Sequence, residues 1–263
     1  MSTKWPDAVT SFKTNGFVLL RSFFDKNRID DLLKSVETAD FENLGCDTYF
    51  ENINGKAMLR RVERSYDKFE PLSDLLNDRS YVELLKELAG EEVFLFKDKI
   101  NFKSIGGAGF DLHIDGHFFW QTEENGPEKQ GWLHYGKSFL NAVVPLKATD
   151  RENGTLCIAK SEVTRQKLGN TWSEITDNLD QKGPFLKEAD TSDIQTTVIE
   201  MNVGDLLVFD WICIHGSKQN VSSKDRPILY LTYNGVSDGH NAESYFNDKN
   251  ASITKKNNKN LIR

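Results

Sequence analysis

Residues 204–234 read GDLLVFDWICIHGSKQNVSSKDRPILYLTYN, two apolar segments separated by a polar stretch. The first segment, 206–215, ends at a histidine, and the second, 227–234, begins directly after an arginine. Both have the length and composition of buried β-strands, and the polar stretch has that of a turn. If the two strands flank a hairpin, the side chains of His215 and Arg226 can face one cavity. A guanidinium there can bind a carboxylate through two parallel hydrogen bonds, and Ser217 can add a hydroxyl donor.

Short strands also dominate the sequence before this pair. We predict strands at 93–104, 110–114, 138–147, 155–159, 196–201, 206–215 and 227–234. Turn residues such as Asn153-Gly154 separate them, and most are not joined by a helix. The pattern therefore favours an antiparallel sandwich or barrel, and the chain is predicted to be mainly β. Residues 121–137 and 161–195 are polar and too long for hairpin turns, as in active-site lids or disordered loops.

The N-terminal third has a helical pattern apart from a short apolar strand at 16–20. Asp25 can cap a helix with one apolar stripe, and Ser80 and Glu83 have the spacing of a capping box. Gly90 is placed to end that second helix. We predict one domain over residues 1–263: mainly helical support at 1–91, a β core at 92–249 and a tail at 250–263.

A second stretch, GGAGFDLHIDGHFFW at 106–120, places an imidazole and a carboxylate two residues apart on a predicted strand. Residues at this spacing share a face, so His113 and Asp115 can converge on a cation, although they can also simply pair with each other. His215 completes a set of two histidines and one carboxylate. Such a facial triad leaves coordination positions open and suits non-heme Fe(II).

Composition excludes several classes of protein. The net charge is −7 and acidic and basic residues are interspersed, which argues against a nucleic-acid surface. No apolar run approaches the roughly 20 residues of a membrane span. Three cysteines, Cys46, Cys157 and Cys213, form no CxxC pair, so we expect unpaired thiols in a reduced, cytoplasmic protein. The oligomeric state is left open.

Taken together, these motifs resemble the phytanoyl-CoA dioxygenase family of Fe(II)/2-oxoglutarate-dependent oxygenases. His113-Ile-Asp115 resembles its H-x-D motif, and His215-Gly-Ser-Lys-Gln-Asn220 with Arg226 resembles its distal element in residues and spacing. The likeness runs from about residue 97 to 249. Many relatives have Pro-Gly-Ser-His after the strand that follows Asn153-Gly154, where this chain has Ala159-Lys160-Ser161-Glu162. That departure concerns a substrate-side loop.

The resemblance implies a double-stranded β-helix (a jelly roll) with flanking N-terminal α-helices. It also implies a cofactor, Fe(II), held by His113, Asp115 and His215, and the cosubstrates 2-oxoglutarate and O2. Arg226 and Ser217 would bind the distal carboxylate of 2-oxoglutarate. The implied activity is hydroxylation with release of succinate and CO2, because the carboxylate ligand that halogenating relatives lack is present. Desaturation or cyclisation by the same triad, and a non-catalytic metal-binding jelly-roll sensor, remain alternatives.

The substrate is less well specified than the cofactors. Period-2 alternation places Lys97, Lys99, Asn101 and Lys103 on one strand face, which either lines the cavity or is solvated. If it lines the cavity, Lys99, Asn101 and Lys103 suit a small anionic or zwitterionic molecule such as a phosphonate or an amino-acid-like metabolite. On this view, removing the charge at Lys103 affects the substrate before 2-oxoglutarate. His117 is a further candidate contact, and acidic residues at 123–128 could meet an amine.

Overall fold

The computed structural model describes residues 4–119, 121–122, 126–169, 185–186 and 191–252. Helices in this part of the chain are α1 (Pro6–Asn15), α2 (Lys26–Thr38), α3 (Glu70–Leu76), α4 (Arg79–Ala89), α5 (Ser161–Leu168) and α6 (Ala242–Ala251). Short 3-10 helices lie at Gly131–His134 and Val236–Asp238. The strands are β1 (Phe17–Leu20), β2 (Asp47–Ile53), β3 (Lys56–Glu63), β4 (Val93–Lys103), β5 (Phe110–His113), β6 (Phe139–Pro145), β7 (Leu156–Ile158), β8 (Thr197–Ile199), β9 (Leu206–Asp210), β10 (His215–Ser217) and β11 (Arg226–Gly235).

The described strands form two antiparallel sheets. The large sheet has seven strands in the order β1-β9-β6-β11-β4-β3-β2, and the small sheet has four in the order β5-β10-β7-β8. One cavity is lined by β4 and β11 of the large sheet and by β5, β7 and β10 of the small sheet. The predicted antiparallel β core is therefore confirmed, and the cavity lies where its two sheets meet.

Helices α1 to α4 cover the other face of the large sheet, where their apolar residues join the main hydrophobic core. The side chain of Asp25 caps α2 by accepting from two backbone N–H groups, as predicted, and Ile29, Leu32 and Val36 are buried. The start of α4 was predicted wrongly, because its N-cap is Asp78 rather than Ser80. Both residues are good caps by type, and two residues separate them.

The N-terminal third also contributes a hairpin that the sequence analysis missed. Strands β2 and β3 pair with each other, and β3 also pairs with β4, so the hairpin forms one edge of the large sheet. Asn54 and Gly55 connect them with φ angles of 51° and 81°. Positive φ at both central residues is the geometry that an Asn-Gly hairpin turn favours.

The predicted strand at 206–215 is in fact two strands in different sheets. β9 ends at Asp210, and a tight turn leads to β10 at His215. The Asp210 carboxylate accepts from the Ile212 N–H at 3.2 Å, and its carbonyl accepts from the Cys213 N–H at 2.9 Å. Residues 212–214 in this turn are apolar and buried. The hydropathy of the sequence therefore does not indicate that the chain crosses between the sheets here.

None of the helices in the described ranges is long and apolar enough to cross a lipid bilayer. Residues 123–125, most of the polar insertion at 161–195 and the tail from 253 lie outside the described residues. The expectations of an amine-binding acidic loop, of an active-site lid at 161–195 and of a frayed tail therefore remain predictions.

Candidate active site

Two short strands of the small sheet bring His113, Asp115 and His215 together. His113 ends β5 and lies directly opposite His215, the first residue of β10. Asp115 follows β5 by two residues, in a turn. The ligand-type atoms of the three side chains all lie within 4.8 Å of one another, and all three residues are buried. Asp115 Oδ1 is 3.8 Å from His113 Nε2, and Asp115 Oδ2 is 3.5 Å from His215 Nε2.

Both histidines are held in the state that binds a metal. His113 Nδ1 lies 2.9 Å from the Asp111 carbonyl oxygen, and His215 Nδ1 lies 2.9 Å from the Cys213 carbonyl oxygen. A carbonyl can only accept, so Nδ1 carries the proton and the lone pair of each Nε2 faces its partners. Burial, with a smaller effect of the neighbouring His215, lowers the pKa of His113 to about 3. Burial also lowers the pKa of His215, so both rings are neutral at pH 7.

Asp115 is ionised despite its burial. Burial alone would raise its pKa, but the nearby Lys99 and the two histidines outweigh that effect and lower it. Asn141 on β6 donates a hydrogen bond from Nδ2 to Asp115 Oδ2 at 3.1 Å. Two neutral imidazoles and one carboxylate around one point form the donor set that a divalent cation prefers.

A second group lies where β11 begins and β4 ends, because Arg226 pairs with Lys103 across the strands. Arg226 is only 2% exposed, and its Nε and Nη1 have no hydrogen-bond partner among the described residues. Lys103 Nζ donates to Ser217 Oγ at 2.7 Å and to the carbonyl oxygens of Lys218 at 2.6 Å and Gly154 at 3.2 Å. Arg226, Ser217 and Lys103 all line the cavity. These three residues form one end of the cavity, which we call the Arg226 end.

The cavity face of β4 carries all four polar residues that alternation predicted, Lys97, Lys99, Asn101 and Lys103. Lys99 is four residues from Lys103, about 13 Å along the strand. No described residue forms a hydrogen bond or ion pair with the Lys99 ammonium, which lies 4.9 Å above the Tyr230 ring. Burial lowers its pKa to about 8. Lys103 is fully hydrogen-bonded to the protein, whereas Lys99 offers its N–H groups to the cavity.

More cations surround Lys99, and they share a single carboxylate. Glu63 on β3 is fully buried and lies 3.1 Å from Arg61 Nε and 3.2 Å from Lys97 Nζ. Lys249 on α6 forms an ion pair with the same carboxylate. Arg61 and Lys97 line the cavity. The Glu63 carboxylate thus faces Arg61, Lys97 and Lys249, and we call this end of the cavity the Lys99 end.

His117 is not among the residues that line the cavity. It is fully buried and stacks on Trp211, with ring centroids 4.9 Å apart and planes within 9°. The expectation of a shared ligand face assumed a continuous strand, but β5 ends at His113. Gly116 then turns the chain with a φ of 77°, so period-2 alternation no longer applies.

Three other site residues were missed. Arg61 lies on the unpredicted hairpin. Tyr230 lies four residues after Arg226 on β11, so strand alternation could have placed it on the same face. Asn141 is one buried amide in an otherwise apolar strand, FLNAVVP, and a lone polar residue in such a run is the signal that it has a specific partner.

Comparisons with known proteins agree with this geometry. The model of the phytanoyl-CoA dioxygenase (PhyH) family matches residues 12–228. The 2-aminoethylphosphonate dioxygenase of uncultured bacterium HF130_AEPn_1 is 28% identical over 251 residues, covering 91% of this chain and 85% of the relative. The methylphosphonate hydroxylase of Gimesia maris is 26% identical over 260 residues, covering 96% and 90%.

Solved structures share the fold at low sequence identity. The 2-oxoglutarate-dependent carbocyclase SnoK from nogalamycin biosynthesis superposes with a TM-score of 0.66 at 16% identity, covering 90% of each chain. EctD from S. alaskensis with 2-oxoglutarate and 5-hydroxyectoine gives 0.65 at 16% identity, covering 89% of this chain and 77% of EctD. Fold and site define a non-heme iron oxygenase. The chain belongs to the phytanoyl-CoA dioxygenase family, and its cofactor and cosubstrates are Fe(II), 2-oxoglutarate and O2.

Proposed function

We propose that the protein hydroxylates a small metabolite that carries an oxyanion, such as a phosphonate or an amino-acid-like zwitterion, and releases succinate and CO2. The observation that carries the proposal is the Lys99 ammonium, which is partly buried in the cavity and has no hydrogen-bonding partner among the described residues. A partly buried cation of this kind costs free energy unless an anion pairs with it. An anionic substrate group supplies that partner.

The metal in this proposal is held by His113, Asp115 and His215. Three protein ligands leave further coordination positions for a chelating cosubstrate and for O2, which fits non-heme Fe(II). When bound, the iron supplies the oxidant that attacks a C–H bond of the substrate. The protein contributes neutral imidazoles and an ionised carboxylate as ligands.

The Arg226 end is assigned to 2-oxoglutarate. Among the described residues the guanidinium Nε and Nη1 have no hydrogen-bond partner, so both can donate to a carboxylate. Ser217 Oγ faces the same end. Lys103 holds Ser217 and the Gly154 loop in place through its three hydrogen bonds. We therefore assign Lys103 to the cosubstrate end, in contrast to the substrate role that the sequence suggested.

The Lys99 end is assigned to the substrate anion. Lys99 presents free donors, and Arg61 and Lys97 add positive charge that Glu63 only partly neutralises. Asn101 lies on the same face between the two cationic ends, where its amide can contact either molecule. The cavity bounded by the described residues has a volume of about 160 Å³. A small phosphonate like those named for the two relatives carries the charge that this end of the cavity would bind.

We further propose that residues 92–249 form a double-stranded β-helix as the core of one domain over 1–263. From β4 to β11 the successive strands lie in the large, small, large, small, small, large, small and large sheets. A chain that passes repeatedly between two facing antiparallel sheets in this way is typical of a jelly roll. The crossing at Trp211 between β9 and β10 is one of these passages, and it delivers His215 to the cavity.

Substrate screening by succinate release tests the proposed function. Purified protein with Fe(II), 2-oxoglutarate and ascorbate would be given 2-aminoethylphosphonate, methylphosphonate, ectoine or palmitoyl-CoA. We expect release above the substrate-free rate with a small oxyanion and none with the acyl-CoA. Product mass separates hydroxylation, a gain of one oxygen, from desaturation or cyclisation, a loss of two hydrogens. Turnover of the acyl-CoA alone would overturn the substrate assignment.

A further inference from the structure

We propose that Asn141 is a positioning residue that fixes the orientation of the Asp115 carboxylate at the metal site. The inference rests on the metal site proposed above. Asp115 lies in a turn beyond the end of β5, so no strand pairing fixes it. Its side chain depends on neighbouring groups for its orientation.

A chain of two hydrogen bonds connects Asp115 to the large sheet. Asn141 Nδ2 donates to Asp115 Oδ2 at 3.1 Å, and Thr232 Oγ1 donates to Asn141 Oδ1 at 2.8 Å. Asn141 on β6 and Thr232 on β11 are direct cross-strand partners. They are 2% and 1% exposed. Two residues of the large sheet thus restrict the orientation of Asp115, the proposed metal ligand that follows β5 of the small sheet.

The orientation of the Asn141 amide follows from charge. Its oxygen cannot face the ionised carboxylate of Asp115 without repulsion, so Nδ2 must point there and Oδ1 must point away. The Thr232 hydroxyl then satisfies that oxygen. A buried amide without partners costs free energy, and the rest of β6 is apolar. The amide is therefore explained by its contact with Asp115.

The contact has a consequence for coordination. A carboxylate oxygen has two lone pairs, so Asp115 Oδ2 can accept from Asn141 and still face the metal site. The fixed donor limits rotation of the carboxylate, so the orientation of this ligand is set before a metal binds. Removing a residue that hydrogen-bonds to a metal ligand commonly lowers metal affinity about 10- to 100-fold.

Metal titration without turnover tests the role of Asn141. Metal-free protein would be titrated with Co(II), without 2-oxoglutarate, and followed by visible absorption. Asn141→Leu removes the donor at similar volume, and Thr232→Val removes the hydroxyl. Asn234→Leu is the matched control, because Asn234 is equally buried on β11 but donates only to the carbonyl oxygens of Gly235 and Gly239. Thermal unfolding of each metal-free variant reports structural damage separately.

We expect Asn141→Leu to weaken Co(II) binding about tenfold or more and Thr232→Val to weaken it about threefold, with Asn234→Leu close to wild type. Asn141→Leu binding as tightly as wild type, or weakened no more than the control, would overturn the proposal. If Asn141→Leu does not fold, wild-type affinity in Thr232→Val would overturn it instead. Wild-type protein that binds no Co(II), or Asp115→Ala that binds it normally, would overturn the metal site and this inference together.

Discussion

The two sheets contribute different things to one cavity. The small sheet has strands of three or four residues, and the proposed metal ligands lie at or just beyond their ends. The large sheet contributes β4 and β11, whose inner faces carry most of the cationic residues, and the neighbouring β3, which carries Arg61. The ligands are brought together by one cross-strand pair and one turn, whereas the cations are spread over three neighbouring strands. The proposed metal ligands therefore lie on the small sheet and most recognition residues on the large sheet, with Asn141 and Ser217 connecting the two functions.

The largest expected effect comes from the small sheet. We expect His113→Ala, Asp115→Ala and His215→Ala each to abolish turnover, because each removes one of three protein ligands from an open metal site. The metal-free variants should unfold at about the same temperature as the wild type, since all three side chains face the cavity. Asp115→Ala with near-normal hydroxylation would show that the metal is held elsewhere.

Arg226→Lys should give the next largest effect. The substitution replaces the planar guanidinium by an ammonium group, so bidentate binding of the 2-oxoglutarate carboxylate is lost. We expect the KM for 2-oxoglutarate to rise about ten- to a hundredfold, which corresponds to the roughly 1.5–3 kcal/mol of a charge-assisted hydrogen bond. An unchanged KM would mean that the buried guanidinium is structural.

A pair of lysine variants sharpens the contrast between the two ends of the large-sheet face. Lys99→Met should raise the KM for the anionic substrate about tenfold and leave that for 2-oxoglutarate unchanged, because a free charged donor is lost. Lys103→Met should raise the KM for 2-oxoglutarate and leave that for the anionic substrate unchanged, because the hydrogen bond to Ser217 is lost. Each variant is the control for the other. The same KM pattern in both would contradict the assignment of separate ends.

The smallest effect concerns pH. Burial lowers the pKa of Lys99 to about 8, so the side chain is charged below that pH and loses its charge above it. The KM for the anionic substrate should therefore rise as the pH increases through about 8. Lys99→Arg keeps the charge at all these pH values and should flatten the rise. An identical pH profile in Lys99→Arg would assign the titration to another group.

The contrast between the sheets also explains what could be predicted from the sequence. His113, Asp115 and His215 lie in a short motif and at a strand end, and the combination of these motifs with Arg226 identified them through the family resemblance. The Lys99 end depends on Arg61 and Glu63 from a hairpin whose Asn54-Gly55 signal was overlooked. The hydropathy pattern of a strand does not indicate which other elements it packs against. The hydrogen bonds from Lys103 to Ser217 and to two carbonyl oxygens can be seen only in the three-dimensional structure.

An anaerobic titration of the wild-type protein with Fe(II) and 2-oxoglutarate tests the central claim most directly. A visible charge-transfer absorption develops when 2-oxoglutarate chelates iron that the protein holds. We predict this absorption for the wild type, its loss in Asp115→Ala, and its appearance in Arg226→Lys only at higher 2-oxoglutarate concentrations. Absence of the absorption in the wild type, or its persistence in Asp115→Ala, would contradict the account.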